Sequence, residues 1–381
     1  DIALNKKVYI NRITIVGNTR TQDEVIRREI GINEGGLYSN TELDESIKKI
    51  KRLGYFSDVK MEVSKLTGFN DKINLHFNVE ETKTGTFSIG LSHSNSSGAS
   101  FNMNVKENNF LGTGNTLNAA FSSAELTQEI SFYFSDPYFT EDGHSISYGV
   151  FSKDDKGAAE ESTYKISENG FILGYGIPLT EDTRIGADIK FSSRDIICGD
   201  TFKTLTYEKA QCESSDKTEV KANLNWSNNT LDNFNYPTEG SKNNLSFDLT
   251  LPIADFQYYK LDASHKSYYP LGNDLTWKVN GSLGLAQGYG DKELPFFKRY
   301  YGGGSSSVRG FDFNSLGATY TGTTIAKGGE LSLLAGTSVI SPMKFINDSK
   351  NMRMSAFIDT GAIEEKASNI GFDQIRASAG V

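Results

Sequence analysis

From Leu275 to Leu285 apolar and polar residues take turns. Leu275, Trp277, Val279, Leu283 and Leu285 share one parity, and Thr276, Lys278, Asn280 and Ser282 share the other. In the same way Val220, Ala222, Leu224 and Trp226 oppose Glu219, Lys221, Asn223 and Asn225, and Ile185, Ala187, Ile189 and Phe191 oppose Arg184, Asp188 and Lys190. Phe87-Ile89-Leu91, Ile130-Phe132-Phe134 and Leu245-Phe247-Leu249-Leu251 repeat the beat. Period-two alternation puts each set on one face of a strand. A single such segment would suit a sandwich equally well. Here, however, full charges occupy the polar parity in segment after segment, and no helical stretch remains to cover the apolar one. One face must meet an apolar medium and the other water. A closed antiparallel barrel in a lipid bilayer meets both demands and leaves no strand edge in the hydrocarbon. About fourteen strands are predicted, starting near residues 86, 99, 115, 129, 144, 164, 184, 218, 243, 258, 275, 329, 352 and 374. The last is stunted and ends at Val381 without a terminal aromatic, so two further strands are expected beyond it.

The first eighty residues read differently. Val8 to Val16 forms a strand that Gly17-Asn18 ends. Thr21 and Glu24 have capping-box spacing for a helix running to about Ile30. Ser39 and Asn40 can cap a second helix, in which Leu43, Ile47, Ile50 and Leu53 recur at helical spacing before Gly54 stops it. Val59 to Val63 and the alternating Ile73, Leu75, Phe77 and Val79 supply two more strands. The order strand, helix, helix, strand, strand predicts a small α+β module over residues 1–83, with the barrel in 84–381. Leu53-Gly54-Tyr55-Phe56-Ser57-Asp58-Val59 resembles the end of the second helix of a POTRA (polypeptide-transport-associated) domain. An unrelated ferredoxin-like module is the alternative.

Composition narrows the function classes. The net charge of the 381 residues is -9 and the hydrophobic fraction is 37%, so there is no basic surplus of the kind that attracts nucleic acid. No run of about eighteen apolar residues is present to make a helical membrane span. The 24 Phe, 18 Tyr and 37 Gly against 7 Pro favour short strands and tight turns. No apolar secretory segment opens the chain, and Asp1 is expected to be a boundary within a longer protein. His76, His93, His144 and His265 are scattered without metal-ligand spacing, and no P-loop or nucleophile elbow occurs. A barrel lipase or protease would need serine, histidine and carboxylate to converge on the outer side. The expectation is a non-enzyme with no cofactor and no metal.

Connections near Thr180-Asp182, Pro237-Gly240 and Gly272-Asn273 are short. Those at Asp154–Ser162, Arg194–Asp216 and roughly Tyr289–Lys327 are long, the asymmetry of periplasmic turns and outer loops. Cys198 and Cys212, the two cysteines, fall in one long connection. Free thiols and a metal pair are alternatives, but no histidine lies nearby, and a disulfide suits an oxidising compartment. The longest connection holds Tyr300-Tyr301-Gly302-Gly303-Gly304-Ser305-Ser306-Ser307-Val308-Arg309-Gly310-Phe311. Three glycines and three serines are costly to order. A surface loop is one reading. The other folds the loop into the barrel and sets Arg309 against a buried carboxylate. Met354, Ala356 and Ile358 set the lipid parity of the strand near 352, so Arg353, Ser355 and Asp359 point inward. Arg309 and Asp359 could then form a charge-assisted fork.

The quartet Val308-Arg309-Gly310-Phe311 in its loop makes a family resemblance specific. Together with the POTRA segment, Asn109-Phe110-Leu111-Gly112-Thr113-Gly114, Asp136-Pro137-Tyr138-Phe139 and Tyr236-Pro237-Thr238-Glu239-Gly240, the chain resembles the BamA family of outer-membrane β-barrel assembly proteins along essentially its whole length. The resemblance implies a sixteen-stranded transmembrane barrel in the bacterial outer membrane, a periplasmic POTRA domain, and a tip arginine tucked into the lumen. It implies ATP-independent insertion of client outer-membrane β-barrel proteins, with accessory lipoproteins, periplasmic chaperones and outer-membrane lipid as further partners. The first barrel strand, here Thr86, Phe87, Ser88, Ile89, Gly90, Leu91 and Ser92, is implied to pair poorly with the last and to open sideways, offering its edge to a client strand. Two departures stand out. Ser338 occupies an inner-wall position that often carries glutamate, and one POTRA domain is present where the family usually has five. A two-partner secretion translocator of the same superfamily is the rival reading. A plain diffusion porin fits less well with an amino-terminal α+β module and this loop.

Overall fold

A computed structural model describes residues 7–94, 98–124, 127–156, 164–198, 216–233, 236–272, 274–323, 325–343, 353–368, 371 and 374–381. It divides into two compact units. One is the chain up to Leu91 with Phe101–Phe121 and Ser131–Pro137, and the other is Ser92–Ser100, Ser122–Ile130 and Tyr138–Val381.

In the first unit β1 (Tyr9–Val16), β2 (Phe56–Lys65) and β3 (Lys72–Glu81) form a sheet in the order β1-β3-β2, with β1 parallel and β2 antiparallel to β3. Ile73, Leu75, Phe77 and Val79 of the central strand are buried on one face, as their alternation requires. Helix α2 (Asn40–Arg52) lays Leu43 and Ile50 against that face, with Ile47 and Leu53 half-buried beside them. Ser39 caps it by accepting the Glu42 amide at 3.4 Å, and Gly54 follows the helix end at φ +75°.

The first helix differs from expectation. Helix α1 spans only Asp23–Arg27, its N-cap is Gln22, and no side chain caps it. The Thr21–Glu24 capping box does not form because both ends of Thr21 are taken by distant residues. Glu81 accepts the Thr21 amide at 2.7 Å, the Arg20 amide at 3.0 Å and the Thr19 hydroxyl at 2.8 Å. Thr21 Oγ1 accepts from Asn109 Nδ2 at 2.9 Å. Burial alone would raise the Glu81 pKa, but the hydrogen bonds from Thr21, Thr19 and Arg20 outweigh it and hold the carboxyl below its ordinary value. A depressed carboxylate stabilises the fold above its unfolded pKa and loses that contribution as pH falls through the folded one. Protection of the Arg20 and Thr21 amides of the whole protein, relative to their intrinsic exchange rates, should therefore fall on acidification below pH of about 4.5. Glu81→Gln should flatten that dependence at a cost of about 1 kcal/mol, since the carboxylate is partly solvated. An unchanged pH profile in Glu81→Gln would reject the assignment.

Asn109 also accepts the Gly114 amide through Oδ1 at 2.8 Å, and Tyr55 donates its hydroxyl to the Asn108 carbonyl at 2.9 Å. The turn between β5 (Gly98–Phe110) and β6 (Asn115–Ala124) thus belongs with the α+β module. Gly112 sits there at φ +77°, its carbonyl accepting the Gln22 amide at 2.9 Å.

Fourteen strands make the second sheet, lying in strict sequence order. After β4 (Gly85–Ser94), β5 and β6 come β7 (Thr127–Asp136), β8 (Ser145–Lys156), β9 (Tyr164–Pro178), β10 (Thr183–Cys198) and β11 (Lys217–Asn229). Then follow β12 (Gly240–Thr250), β13 (Tyr258–Gly272), β14 (Leu275–Gly288), β15 (Leu331–Pro342), β16 (Arg353–Glu364) and β17 (Arg376–Gly380). From β8 to β17 every pairing between successive strands is antiparallel. Strands β8 and β10 run on to Lys156 and Cys198, into the segments from Asp154 and from Arg194 read from sequence as loops. The face parities follow the alternation. Ile189, Phe191, Leu224, Trp277, Met354 and Ile358 are exposed, whereas Ser192, Arg194, Thr276, Ser338 and Asp359 on the opposite parity are buried. Val220 shares the parity of Leu224 but is only 6% exposed, because residues 251–255 continue alongside β11 and hydrogen-bond to it.

Candidate functional site

The connection between β14 and β15, residues 289–330, lies against the buried, polar face of the sheet, termed the inner face below. It is doubled back on itself. Tyr300 and Gly329 exchange amide-to-carbonyl hydrogen bonds at 2.8 and 2.9 Å, and Thr319 bridges Ala326. Its foot is aromatic. Phe296, in a single 3-10 turn (Phe296–Lys298), is fully buried with its ring edge-on to Tyr164, and Phe297 packs edge-on to Phe256 at 5.2 Å. Tyr300 donates to Asp262 Oδ1 at 2.7 Å, and the Lys260 ammonium lies 4.1 Å over its ring.

The glycine and serine run is closed by its own hydrogen bonds. Gly303, at φ +105°, donates to Ser307 Oγ at 2.7 Å, and Gly304, at φ +90°, donates to the Phe311 carbonyl at 2.9 Å. Glycine is needed at both positions because the backbone lies in the left-handed region. The closure makes a rigid tip out of residues that have no packing capacity of their own.

Two contacts fix that tip. Val308 is fully buried against Leu316 and Ile363, with Phe311, Tyr300 and Leu334 around them. Gly361 makes the seat possible, since a Cβ there would stand 2.9 Å from Val308 Cγ2 and 2.5 Å from Leu334 Cδ2. Arg309 then reaches β16. Its Nε donates to Asp359 Oδ2 at 2.6 Å, its second terminal nitrogen to Oδ1 at 2.8 Å, and its own amide to Oδ2 at 3.2 Å. The guanidinium carbon stands 3.5 Å over the Phe357 ring. Two side-chain donors forked across both carboxylate oxygens, together with an aromatic face, fit arginine and not lysine. The Asp359 side chain is 5% exposed and that of Arg309 32%. Ser338 is buried on the neighbouring strand, opposite Lys278 in register. The fork therefore has one carboxylate, Asp359.

The other expected site residues fall elsewhere. Thr86 to Ser92 lie in β4, an end strand of the sheet, with Phe87, Ile89 and Leu91 well exposed. Cys198 is buried at the end of β10 and disulfide-bonded, while Cys212 lies outside the described residues, so the Cys198–Cys212 pairing is carried forward as an expectation. Sequence reasoning missed the seat of Val308, the Phe357 stack and a buried group of charges around Arg194. The inward parity of Arg194 and Glu219 was the available signal. The arrangement can hold a loop in place. Among the described residues no group of three His, Cys, Asp or Glu is disposed to bind a metal ion.

An Omp85 superfamily domain model matches residues 109–381, and a POTRA model, described as a surface antigen variable number repeat, matches residues 8–82. The outer membrane protein assembly factor BamA of Neisseria meningitidis serogroup B is 30% identical over 381 residues, covering 94% of this chain and 47% of that protein. The sorting and assembly machinery component 50 homolog of Mus musculus is 24% identical over 360 residues, covering 91% of this chain and 73% of that protein. Among solved structures, BamA from Haemophilus ducreyi lacking POTRA domains 1-3 superposes with a TM-score of 0.80 at 25% identity, covering 99% of this chain and 78% of that one. CdiB from Acinetobacter baumannii shares the fold, with a TM-score of 0.61 at 13% identity over 97% of this chain and 66% of that one. The chain spans about half the length of the BamA of Neisseria meningitidis that it matches.

Proposed function

The chain belongs to the Omp85 superfamily, and from that premise we propose that it assembles and inserts client β-barrel proteins into the outer membrane, in which it resides. The observation that carries this reading is the 30% identity to an assembly factor across 94% of the chain. The translocator alternative is not favoured, because CdiB is less similar both in structure and in sequence.

Insertion proceeds without ATP, driven by the folding of the client, and the entry point is a lateral seam at the first strand. Two features support the seam. Strand β4 has one neighbour among the described strands, so Thr86–Ser92 can offer unpaired amides and carbonyls to an incoming strand. Its apolar residues Phe87, Ile89 and Leu91 are exposed and share one parity, as a strand that passes a lipid-facing surface on to a client strand requires. Periplasmic chaperones and accessory lipoproteins deliver clients to the POTRA side in this scheme. The Arg309–Asp359 lock keeps the loop on the inner wall while the seam works.

The test uses the full-length protein in lipid vesicles with an unfolded client barrel. Client folding, followed by its resistance to heat unfolding on a gel, should be faster than in empty vesicles without added nucleotide. A cysteine placed at Ser88 should cross-link to the client during assembly. Client folding at the rate of empty vesicles would reject the function, and folding without the cross-link would reject the seam.

A further inference from the structure

Behind the foot of the loop lies a group of charges that the lock does not use. Glu219, on the inner face of β11, is fully buried, accepts hydrogen bonds from two elements and is ion-paired with a third. Arg194 of β10 donates to its Oε2 at 2.8 Å, the Tyr258 hydroxyl of β13 donates to the same oxygen at 3.0 Å, and the Lys298 ammonium of the loop stands 3.6 Å from Oε1. Arg194 also meets Glu168 of β9 at 2.9 Å, and Lys190 of β10 meets Glu168 at 2.6 Å. Lys221 of β11 is matched separately by Asp248 at 2.8 Å, and Lys153 of β8, which lines the same pocket as Lys298, by Asp155 at 3.5 Å. The cluster thus gathers three cations, Lys190, Arg194 and Lys298, around two carboxylates, Glu168 and Glu219. Two of the cations belong to the wall. The third enters with the loop.

A buried ammonium with too little negative charge around it opposes burial. Lys298 can stay in place because Glu219 is beside it and because Phe297 and Tyr258 present their ring faces 5.7 and 5.4 Å away. Phe297 also takes the Arg194 guanidinium at 4.9 Å, so wall and loop share one ring between two cations. Eleven positions separate Lys298 from Arg309, and the run between is closed by its own hydrogen bonds and the Tyr300–Gly329 ladder. Displacement of the foot is therefore carried to the tip.

We propose that Glu219 is a positioning residue for the lock: by compensating Lys298 it seats the foot of the loop on β9–β11, and that seating brings Arg309 within reach of Asp359. The inference rests on the reading of the loop as part of the assembly machinery, but its test does not. Burial, together with the neighbouring Arg194, pushes the Lys298 ammonium down to about 7. In an undocked loop it would hold its proton to a much higher pH, so docking strengthens as pH rises from 7 towards 10 and is weakest below 7. Compensation by Glu219 matters most where Lys298 is charged.

The readout is amide hydrogen exchange at Arg309 and Gly304 in the full protein in vesicles, alongside client assembly. Glu219→Gln leaves three cations facing one carboxylate and should speed exchange at Arg309 roughly tenfold at pH 6 and much less at pH 8. Lys298→Met alone, which keeps the packed stem, should stay within about threefold of the parent. Adding Lys298→Met to Glu219→Gln restores the parent surplus of one positive charge and should recover most of the protection. Should Glu219→Gln not fold, Lys298→Glu sets a third carboxylate in the cluster without altering the wall, and should speed exchange likewise. Unchanged exchange in Glu219→Gln or Lys298→Glu overturns the proposal. So does a double variant as fast as Glu219→Gln, which would mean that the wall alone had been weakened. Exchange that responds as described while client assembly does not change would uphold the seating and remove the loop from the assembly mechanism.

Discussion

Arg309→Ala is expected to release the tip of the loop from β16 and to cut client assembly severely, while the fourteen-stranded sheet still forms. Removing the guanidinium leaves the Asp359 carboxylate, 5% exposed, without its two side-chain donors. Loss of hydrogen bonds to a buried charge costs about 2–3 kcal/mol, below the full penalty of a dry pair because a third of the Arg309 side chain reaches solvent. On the scale of 1.4 kcal/mol per factor of ten, this shifts the docked fraction of the loop by roughly thirtyfold or more. Arg309→Lys should recover little, since one ammonium can neither fork across both carboxylate oxygens nor stack on Phe357. Asp359→Ala should give a similar loss, and the double variant should be little worse than either single one, because both remove the same contact. Client folding rates in vesicles and exchange at the Arg309 amide measure the cycle. Strictly additive losses would mean that Val308 in its seat, and not the fork, holds the tip.

The second large effect is expected at Gly112. A Cβ at this position would stand 2.0 Å from the Arg20 carbonyl oxygen and 2.9 Å from its carbon, on a backbone at φ +77°. Neither the contact nor the dihedral can relax without moving the turn off the α+β module. Gly112→Val should therefore break the hydrogen bond from the Gln22 amide and the Asn109–Thr21 contact together, at a cost of roughly 3 kcal/mol or more. Gly114, at φ +76°, makes a useful contrast. Its missing Cβ would meet the end of the Arg28 side chain at 2.5 Å, and that side chain can swing away. Gly114→Ala should cost less, close to the backbone strain of about 1 kcal/mol. Amide exchange at Thr21 and Gln22 reads both variants. If Gly112→Val left those amides protected, the close approach would have no part in joining the turn to the module.

The two positions show how unevenly the chain declares itself. Strand number, strand phase and the buried face of α2 could be read from residues such as Leu224, Trp277, Ile358 and Leu43, because parity and helical period are set by backbone geometry within a few residues. The inward parity of Asp359 was legible on the same ground. So was the burden on Gly303 and Gly304, which had to be doing something other than packing. What the sequence could not declare were the pairings across the chain. Thr21 and Glu24 have the spacing of a capping box, yet Glu81 and Asn109 claim Thr21, because an ionised acceptor already aimed at three donors outcompetes a local cap. Lys298 reads as a solvated charge until β10 and β11 bring Arg194 and Glu219 around it. Val308 reads as the lesser neighbour of an arginine until Gly361 leaves it a seat. Each of these depends on residues tens to hundreds of positions apart, and their distance is fixed only when every strand has taken its register. Periodicity is local and belongs to the sequence; compensation of buried charge and close approach of backbones exist only once the sheet has brought distant segments together.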